Sequence, residues 1–309
     1  MVEIPIADKA APHDANPTGA PLVSVIVPHY QDLARLKLCL DALGRQTFPR
    51  ERFEIIVADN NSPCGEAAVA EAIAGRARLT IVREKGAGPA RNGGVALARG
   101  SILAFTDSDC VPQPQWLEEG LKGLESADFV GGTVEVLVRD PNDMTAVECF
   151  ERVFAFDFRT YILKKEFTGS GNLFCPRRVF DAVGGFASGV SEDVEWCMRA
   201  RAAGYSIGFA PRAAIGHPGR RTWGEIETRW RRLNSESYHL LRRDPAGRAK
   251  WLVKTLLMPA SAVVHTFKVL ASPKLERPAD RLKAIVVLYR VRWFRMMDGL
   301  RLLWGRQSA

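Results

Sequence analysis

The feature that most constrains this chain is a repeated exchange of short apolar strands and amphipathic helices between residues 22 and 125. Residues 22–28, Leu-Val-Ser-Val-Ile-Val-Pro, form a continuous apolar run closed by proline, as suits a strand buried on both faces of a parallel sheet. Residues 32–46 follow, with Leu33, Leu36, Leu40 and Leu43 at helical spacing. The exchange continues as strand 53–58, helix 66–74, strand 79–83, helix 89–99, strand 101–106 and helix 114–125. Such a series predicts an α/β fold, a mainly parallel sheet with helices on both faces.

After residue 128 the rhythm breaks. A mixed region contains Gly131-Gly132, a helical pattern around 143–163, Gly169-Ser170-Gly171 and a strand at 205–210, and it reads as the second half of the same domain. Residues 222–242 and 248–304 read as basic, aromatic-bearing helices broken near Pro245, Pro259, Pro273 and Pro278. This gives a tail over 1–20, a catalytic domain over 21–220 (halves 21–128 and 129–220) and a basic amphipathic helical appendage over 221–309. Residues 1–20 lack the basic start and apolar stretch of a signal peptide and are expected to be disordered.

Charge divides the chain in two. Residues 218–309 hold 20 Lys/Arg against 7 Asp/Glu, a net +13, whereas residues 1–217 hold 23 against 28, a net −5. The basic third could mark a nucleic-acid partner. Its charges are, however, interleaved with Leu, Val, Trp and Phe at helical spacing, which favours an anionic membrane surface and no nucleic acid. In 281–304 the apolar set includes Ile285, Leu288, Tyr289, Val291 and Phe294. Lys254, Pro259, His265 and Lys268 interrupt the most apolar stretch, so no spanning helix is expected. The six cysteines are dispersed, with no close pair of the kind zinc sites use, which suits a reduced cytoplasmic compartment.

In open parallel sheets ligands sit beyond the carboxyl ends of the strands. Three strands end in polar residues: Pro28-His29-Tyr30, Asp59-Asn60-Asn61-Ser62 and Asp107-Ser108-Asp109. Two carboxylates two residues apart can converge on one hard cation, Mg2+ or Mn2+, although Asp is also common in turns. Ser191-Glu192-Asp193 opens a helix, where acids are favoured at the positive end.

The order and spacing of Val23-Ser-Val-Ile-Val-Pro28-x-Tyr30, Val57-Ala-Asp59-Asn-Asn-Ser62, Ala90-Arg91-Asn92-x-Gly94, Thr106-Asp-Ser-Asp109, Gly171-Asn172-Leu-Phe-x-x-Arg177, Val183-Gly-Gly-Phe186 and Glu192-Asp193-Val-Glu-Trp196 resemble the family-2 glycosyltransferases of the GT-A fold. The resemblance runs from about Val23 to about His217. It implies a Rossmann-like sheet and transfer of a sugar from a nucleotide diphosphate sugar, UDP-linked by expectation, to an acceptor hydroxyl with inversion.

By that resemblance Pro28, Tyr30, Asp59, Arg91 and Asp107 contact the donor nucleotide. Asp107, Asp109 and His217 surround the metal, and Gly171, Asn172 and Glu192 face the acceptor. Asp193 is the base that takes the proton from the attacking hydroxyl. The acceptor is expected to be a lipid-linked or cell-surface glycan precursor, and the enzyme to sit peripherally on the inner face of the cell membrane.

Two departures narrow the reading. Processive members carry Gln-x-x-Arg-Trp, whereas Ile226-Glu227-Thr228-Arg229-Trp230 lacks the glutamine, so addition of a single sugar is favoured. A sugar-phosphate nucleotidyltransferase, the rival enzyme class, needs a glycine-rich loop after strand one, where this chain has Pro28-His29-Tyr30-Gln31-Asp32.

Overall fold

The computed structural model describes residues 21–188, 191–242 and 244–305; the expected tail over 1–20 lies outside them. Within them eight strands form one mixed sheet: β1 (Val23–His29), β2 (Phe53–Asp59), β3 (Arg78–Ile81), β4 (Ile102–Thr106), β5 (Val111–Pro112), β6 (Phe129–Leu137), β7 (Asn172–Pro176) and β8 (Ile207–Pro218). Their spatial order is β3-β2-β1-β4-β7-β6-β8-β5. The first four pair in parallel, as the alternation predicts, because helices α1 (Leu33–Leu43), α2 (Glu66–Ile73) and α3 (Ala87–Leu97) carry the chain back between them. Antiparallel pairing enters only with β7 and β5.

The strand pleat sends alternate residues to two cores. Val23, Val25 and Val27 of β1 join Leu36, Leu40 and Leu43 of α1, together with α2 and α4 (Trp116–Leu124), on one face. Ile26, Ile56, Leu103 and Phe105 meet α7 (Arg177–Val183) and α8 (Glu192–Ala202) on the other. This two-sided burial explains why the strands read as unbroken apolar runs.

The helical pattern across 143–163 is two helices, α5 (Ala146–Phe154) and α6 (Phe158–Lys165). Periodicity hid the break. Phe156 turns at φ +56°, and the Asp157 carboxylate accepts the Thr160 N–H, so a new helix start replaces continuation. The strand expected at 205–210 runs on to Pro218, because β8 pairs with β6 past a register shift at Gly132/Thr133 and then also with β5. His217 is therefore inside the strand, not after it.

Four helices follow: α9 (Trp223–Leu241), α10 (Gly247–Leu256), α11 (Met258–Leu270) and α12 (Pro278–Trp304). Pro259 and Pro278 sit in first turns, where a missing N–H costs nothing. Of these, α9, α11 and α12 share a third core with α5, formed by Val147, Phe150, Ile226, Ala262, Ala284 and Val291 among others. Buried Glu151 accepts from Arg220 and Arg229 and reinforces that junction.

This packing corrects one expectation. Leu288 and Val291, assigned from sequence to a lipid-facing stripe, are buried in that core, and Phe294 stacks edge-on against Trp223. Among the described residues no single helix is long and apolar enough to cross a membrane.

Candidate active site

Strand order decides where the site forms. From β1 the chain runs outward to β2 and β3, then returns to place β4 on the other side of β1. The crevice at that reversal is where open α/β sheets bind ligands. Tyr30, which follows β1, is 54% exposed there, and Asp107 follows β4. Pro28 is buried within β1, so Tyr30 is the residue that presents surface.

Register then gathers the acidic residues. Thr106 pairs with Asn172 across the antiparallel β4–β7 ladder, so Asp107 faces Gly171 one step on. A Cβ added at Gly171 would lie 2.6 Å from Asp107 Oδ2, and one at Gly169 would lie 3.5 Å from Asp193 Oδ2. The two glycines let the loop pass between both carboxylates, an approach closed to any side chain at Gly171.

On the far side Val111 of β5 pairs with Gly216 of β8, which brings His217 beside the Asp107–Asp109 turn. His217 Nε2 lies 3.4 Å from Asp109 Oδ2. Its Nδ1 lies 2.8 Å from the Pro218 carbonyl oxygen, which can only accept, so Nδ1 carries a proton and donates. Nε2 is left facing the Asp109 carboxylate, where a ring nitrogen and a carboxylate oxygen can share one cation. Phe156 packs against the same ring at 4.6 Å and holds its plane.

Ligand atoms of Asp107, Asp109 and Cys110 lie within 4.8 Å of one another. Burial, reinforced by Asp107 and Asp109, pushes the Cys110 thiol well above its ordinary pKa, and a thiol suits a hard cation poorly. The residues that fit Mg2+ or Mn2+ are thus Asp107, Asp109 and His217, an oxygen- and imidazole-based set.

Arg91, expected against the base or diphosphate of the donor, is instead held by carboxylates of the chain. Its side chain is 4% exposed and spans two carboxylates, Asp107 Oδ1 at 2.6 Å and Glu192 Oε1 at 2.9 Å. Burial opposes the guanidinium charge, but Asp107 and Glu192 outweigh it and raise its pKa. Arg91 is the bridge that ties Asp107, after β4, to the start of α8. Glu192, expected at the acceptor, is the other end of that bridge.

Asp193 is half-buried at the first turn of α8, with its Oδ1 accepting the Val194 N–H. Burial pushes its pKa up, against that hydrogen bond and Arg91, while Glu192 and Asp107 add to the rise. A carboxyl poised this way is a better proton acceptor than an ordinary aspartate.

Two other expected contacts are taken up by the fold. Asn172 is fully buried; its amide donates to the Thr133 and Ala213 carbonyls and its Oδ1 accepts the Trp116 indole N–H, each at 2.9 Å. It has nothing left for an acceptor. Asp59 is 1% exposed, and it accepts from Ser62 N and Ser62 Oγ and bonds to His29 Nδ1 at 2.7 Å, so it stiffens the strand ends beneath Tyr30. Sequence reasoning missed His29 and Phe156. The signal for His29 was the level ending of two adjacent parallel strands, His29 opposite Asp59.

Residues 24–188 match the sequence profile of glycosyl transferase family 2. The glycosyltransferase AglE of Haloferax volcanii is 36% identical over 214 residues, covering 67% of this chain and 69% of AglE. Validoxylamine A glucosyltransferase of Streptomyces hygroscopicus subsp. limoneus is 36% identical over 121 residues, 38% of this chain and 27% of that one. Among solved structures, the mannosyltransferase PcManGT from Pyrobaculum calidifontis, in complex with GDP-Man and Mn2+, superimposes with a TM-score of 0.60 at 22% identity, over 96% of this chain and 92% of that chain. The α/β sheet with its crevice at the strand reversal is thus the GT-A fold, and the chain belongs to glycosyl transferase family 2.

Proposed function

We propose that this glycosyltransferase moves a single sugar, with inversion, from a nucleotide diphosphate sugar to an acceptor hydroxyl on a lipid-linked or cell-surface glycan precursor at the inner face of the cell membrane. The observation that carries the reading is one crevice in which Asp107 and Asp109 lie together, His217 adjoins Asp109, and Asp193 stands across the Gly169–Gly171 loop. Exposed Tyr30 offers a flat face to a nucleobase. PcManGT was solved with GDP-Man and Mn2+, which supports a donor of this class; a UDP-sugar is the first to test here.

Asp107, Asp109 and His217 would hold a divalent cation, Mg2+ or Mn2+, which when bound supplies positive charge beside the departing diphosphate. The residues of the chain do the rest. Asp193 takes the proton of the acceptor hydroxyl as its oxygen forms the new bond to the anomeric carbon. The old bond's electron pair leaves on the diphosphate oxygen. Arg91 keeps Asp107 and Glu192 at a fixed separation, so the acid-bearing turn and the base-bearing helix hold their relative positions without an acceptor present.

A panel of nucleotide sugars scored by thermal stabilisation, with and without Mn2+, tests the reading, since a ligand that binds only the native state raises its melting temperature. The reading expects one UDP- or GDP-sugar to stabilise the protein only with metal. Stabilisation by no nucleotide sugar, or by one equally in the presence of a chelator, refutes it.

A further inference from the structure

The C-terminal helices present an apolar surface that the catalytic reading does not use. On α12 the exposed side chains Leu282, Val286, Tyr289, Trp293 and Met297 recur at spacings of three and four, which places them on one stripe. That stripe lies opposite the one formed by Ala284, Val287, Leu288 and Val291, which packs into the inter-helix core. On α11, Val263, Val264, Phe267 and Leu270 form a second exposed stripe, with Phe267 69% exposed. The α11 residue Thr266 touches the Tyr289 hydroxyl at 3.5 Å, so the two stripes adjoin. Monomeric proteins rarely leave so extended an apolar surface bare.

Beside these stripes α10, α11 and α12 enclose an open groove of about 730 Å3, lined by Val253, Leu257 and Met258 with Lys254 and Arg292. Lys254, Arg292 and Arg295 have no carboxylate partner among the described residues. Arg292 also keeps a buried Nε without an acceptor, while its Nη1 meets only the Met258 sulfur. Burial lowers the pKa of all three cations; Arg292 adds to the effect on Arg295, which falls to about 10, and Arg295 and Lys165 add to that on Lys254. Arg295 is held by Asn234 and the Trp230 ring, whereas Lys254 and Arg292, partly desolvated at the edge of an apolar groove with no acid nearby, lack an anion.

We propose that this face docks on a bilayer containing anionic phospholipid, with Phe267, Trp293 and their neighbours immersed among acyl chains and a headgroup phosphate seated on Lys254 and Arg292. Apolar groups beside cations match an acyl chain joined to a phosphate. A second copy of the chain is a poor occupant, because it would bring the same unpaired cations face to face. Helices α10 and α11 meet at 53°, and Lys250, Lys254 and Lys268 interrupt them, which suits lying in the interface. The surface stands independently of the donor reading.

Co-sedimentation of the full chain with phosphatidylcholine vesicles, and with vesicles of phosphatidylcholine and phosphatidylglycerol, tests the proposal at low and high salt. The full chain should prefer anionic vesicles at low salt. Phe267→Ser/Trp293→Ser should lose binding to both by more than about tenfold, since two exposed anchors are removed without emptying a core. Lys254→Gln/Arg292→Gln should lose about 25-fold on anionic vesicles, from roughly fivefold per headgroup contact, and keep its weaker binding to neutral ones. Circular dichroism and melting confirm that each variant folds, and UDP binding is expected unchanged in both, so failure here is separable from failure of the donor reading. The proposal is overturned if the full chain ignores anionic vesicles, if either double variant binds as the parent does, or if inorganic phosphate alone stabilises the protein while vesicles do not. It is equally overturned if sedimentation velocity shows a dimer that Phe267→Ser/Trp293→Ser dissociates and that binds no vesicle.

Discussion

Asn172 separates a structural from a ligand-binding role most cleanly. Its carboxamide makes three buried hydrogen bonds, each 2.9 Å long: to the carbonyls of Thr133 on β6 and Ala213 on β8, and from the Trp116 indole of α4. It thereby clips β6, β7, β8 and α4 at one point directly behind Gly171. Asn172→Ala leaves two carbonyls and an indole N–H buried without partners, at about 1 kcal/mol or more each, for a loss of roughly 3–5 kcal/mol. Gly132 packs too closely on the Asn172 amide for much collapse: a Cβ there would meet Nδ2 at 2.5 Å. In a chain of this size the loss lowers the melting temperature by roughly 5–8 °C. Asn172→Asp keeps the Trp116 bond but turns acceptor oxygen toward two carbonyls, and it should destabilise at least as much. Thermal and urea unfolding of both variants, with acceptor KM measured well below the melting point, decides the matter. Should Asn172→Ala melt within about 2 °C of the parent while acceptor KM rises tenfold, the clip is wrong and Asn172 is an acceptor contact after all.

Three further outcomes follow from the crevice. Asp109→Asn should abolish metal-dependent donor binding without unfolding the chain, because it removes one carboxylate facing His217; calorimetry with UDP and Mn2+ that finds unchanged metal dependence would displace the metal from this turn. Asp193→Asn should keep donor affinity but lose transfer by about 10²-fold or more, and in the parent the rate should fall as pH drops through the raised Asp193 pKa. Because that pKa is higher folded than unfolded, native stability from this group falls as pH rises through the interval, so Asp193→Asn should melt higher than the parent at neutral pH, with the gap closing on acidification. Gly171→Ala should displace Asp107, whose Oδ2 would otherwise lie 2.6 Å from the new methyl, and weaken metal-dependent donor binding by about tenfold while leaving the melting temperature little changed; a donor affinity equal to the parent's would show that the loop yields freely.

The sequence by itself determined the parallel half of the sheet. Val23 to Val27, Ile55 to Val57 and Ile102 to Phe105 are apolar at every step but Ser24, and only burial on both faces of a parallel sheet makes use of such runs. It also located the acidic turn after β4 and the acids opening α8, because strand ends and helix starts leave a local pattern. What lay beyond it was whatever depended on register between distant segments. That His217 faces Asp109 follows from Val111 pairing with Gly216, and that Asp107 needs a glycine opposite follows from Thr106 pairing with Asn172. Neither ladder can be read from composition or period.

The same limit explains Arg91, Asn172 and Asp59. Each is a polar residue in a family motif, and a motif does not say whether a side chain points into the crevice or into the wall that shapes it. Tertiary packing turned all three into the wall, because a buried donor or acceptor must find its partner inside the protein. At the C-terminus the period of α12 was legible, but it has two apolar stripes. Only the contact with α5 and α11 decided that Leu288 and Val291 face inward and that Val286, Tyr289 and Trp293 face out.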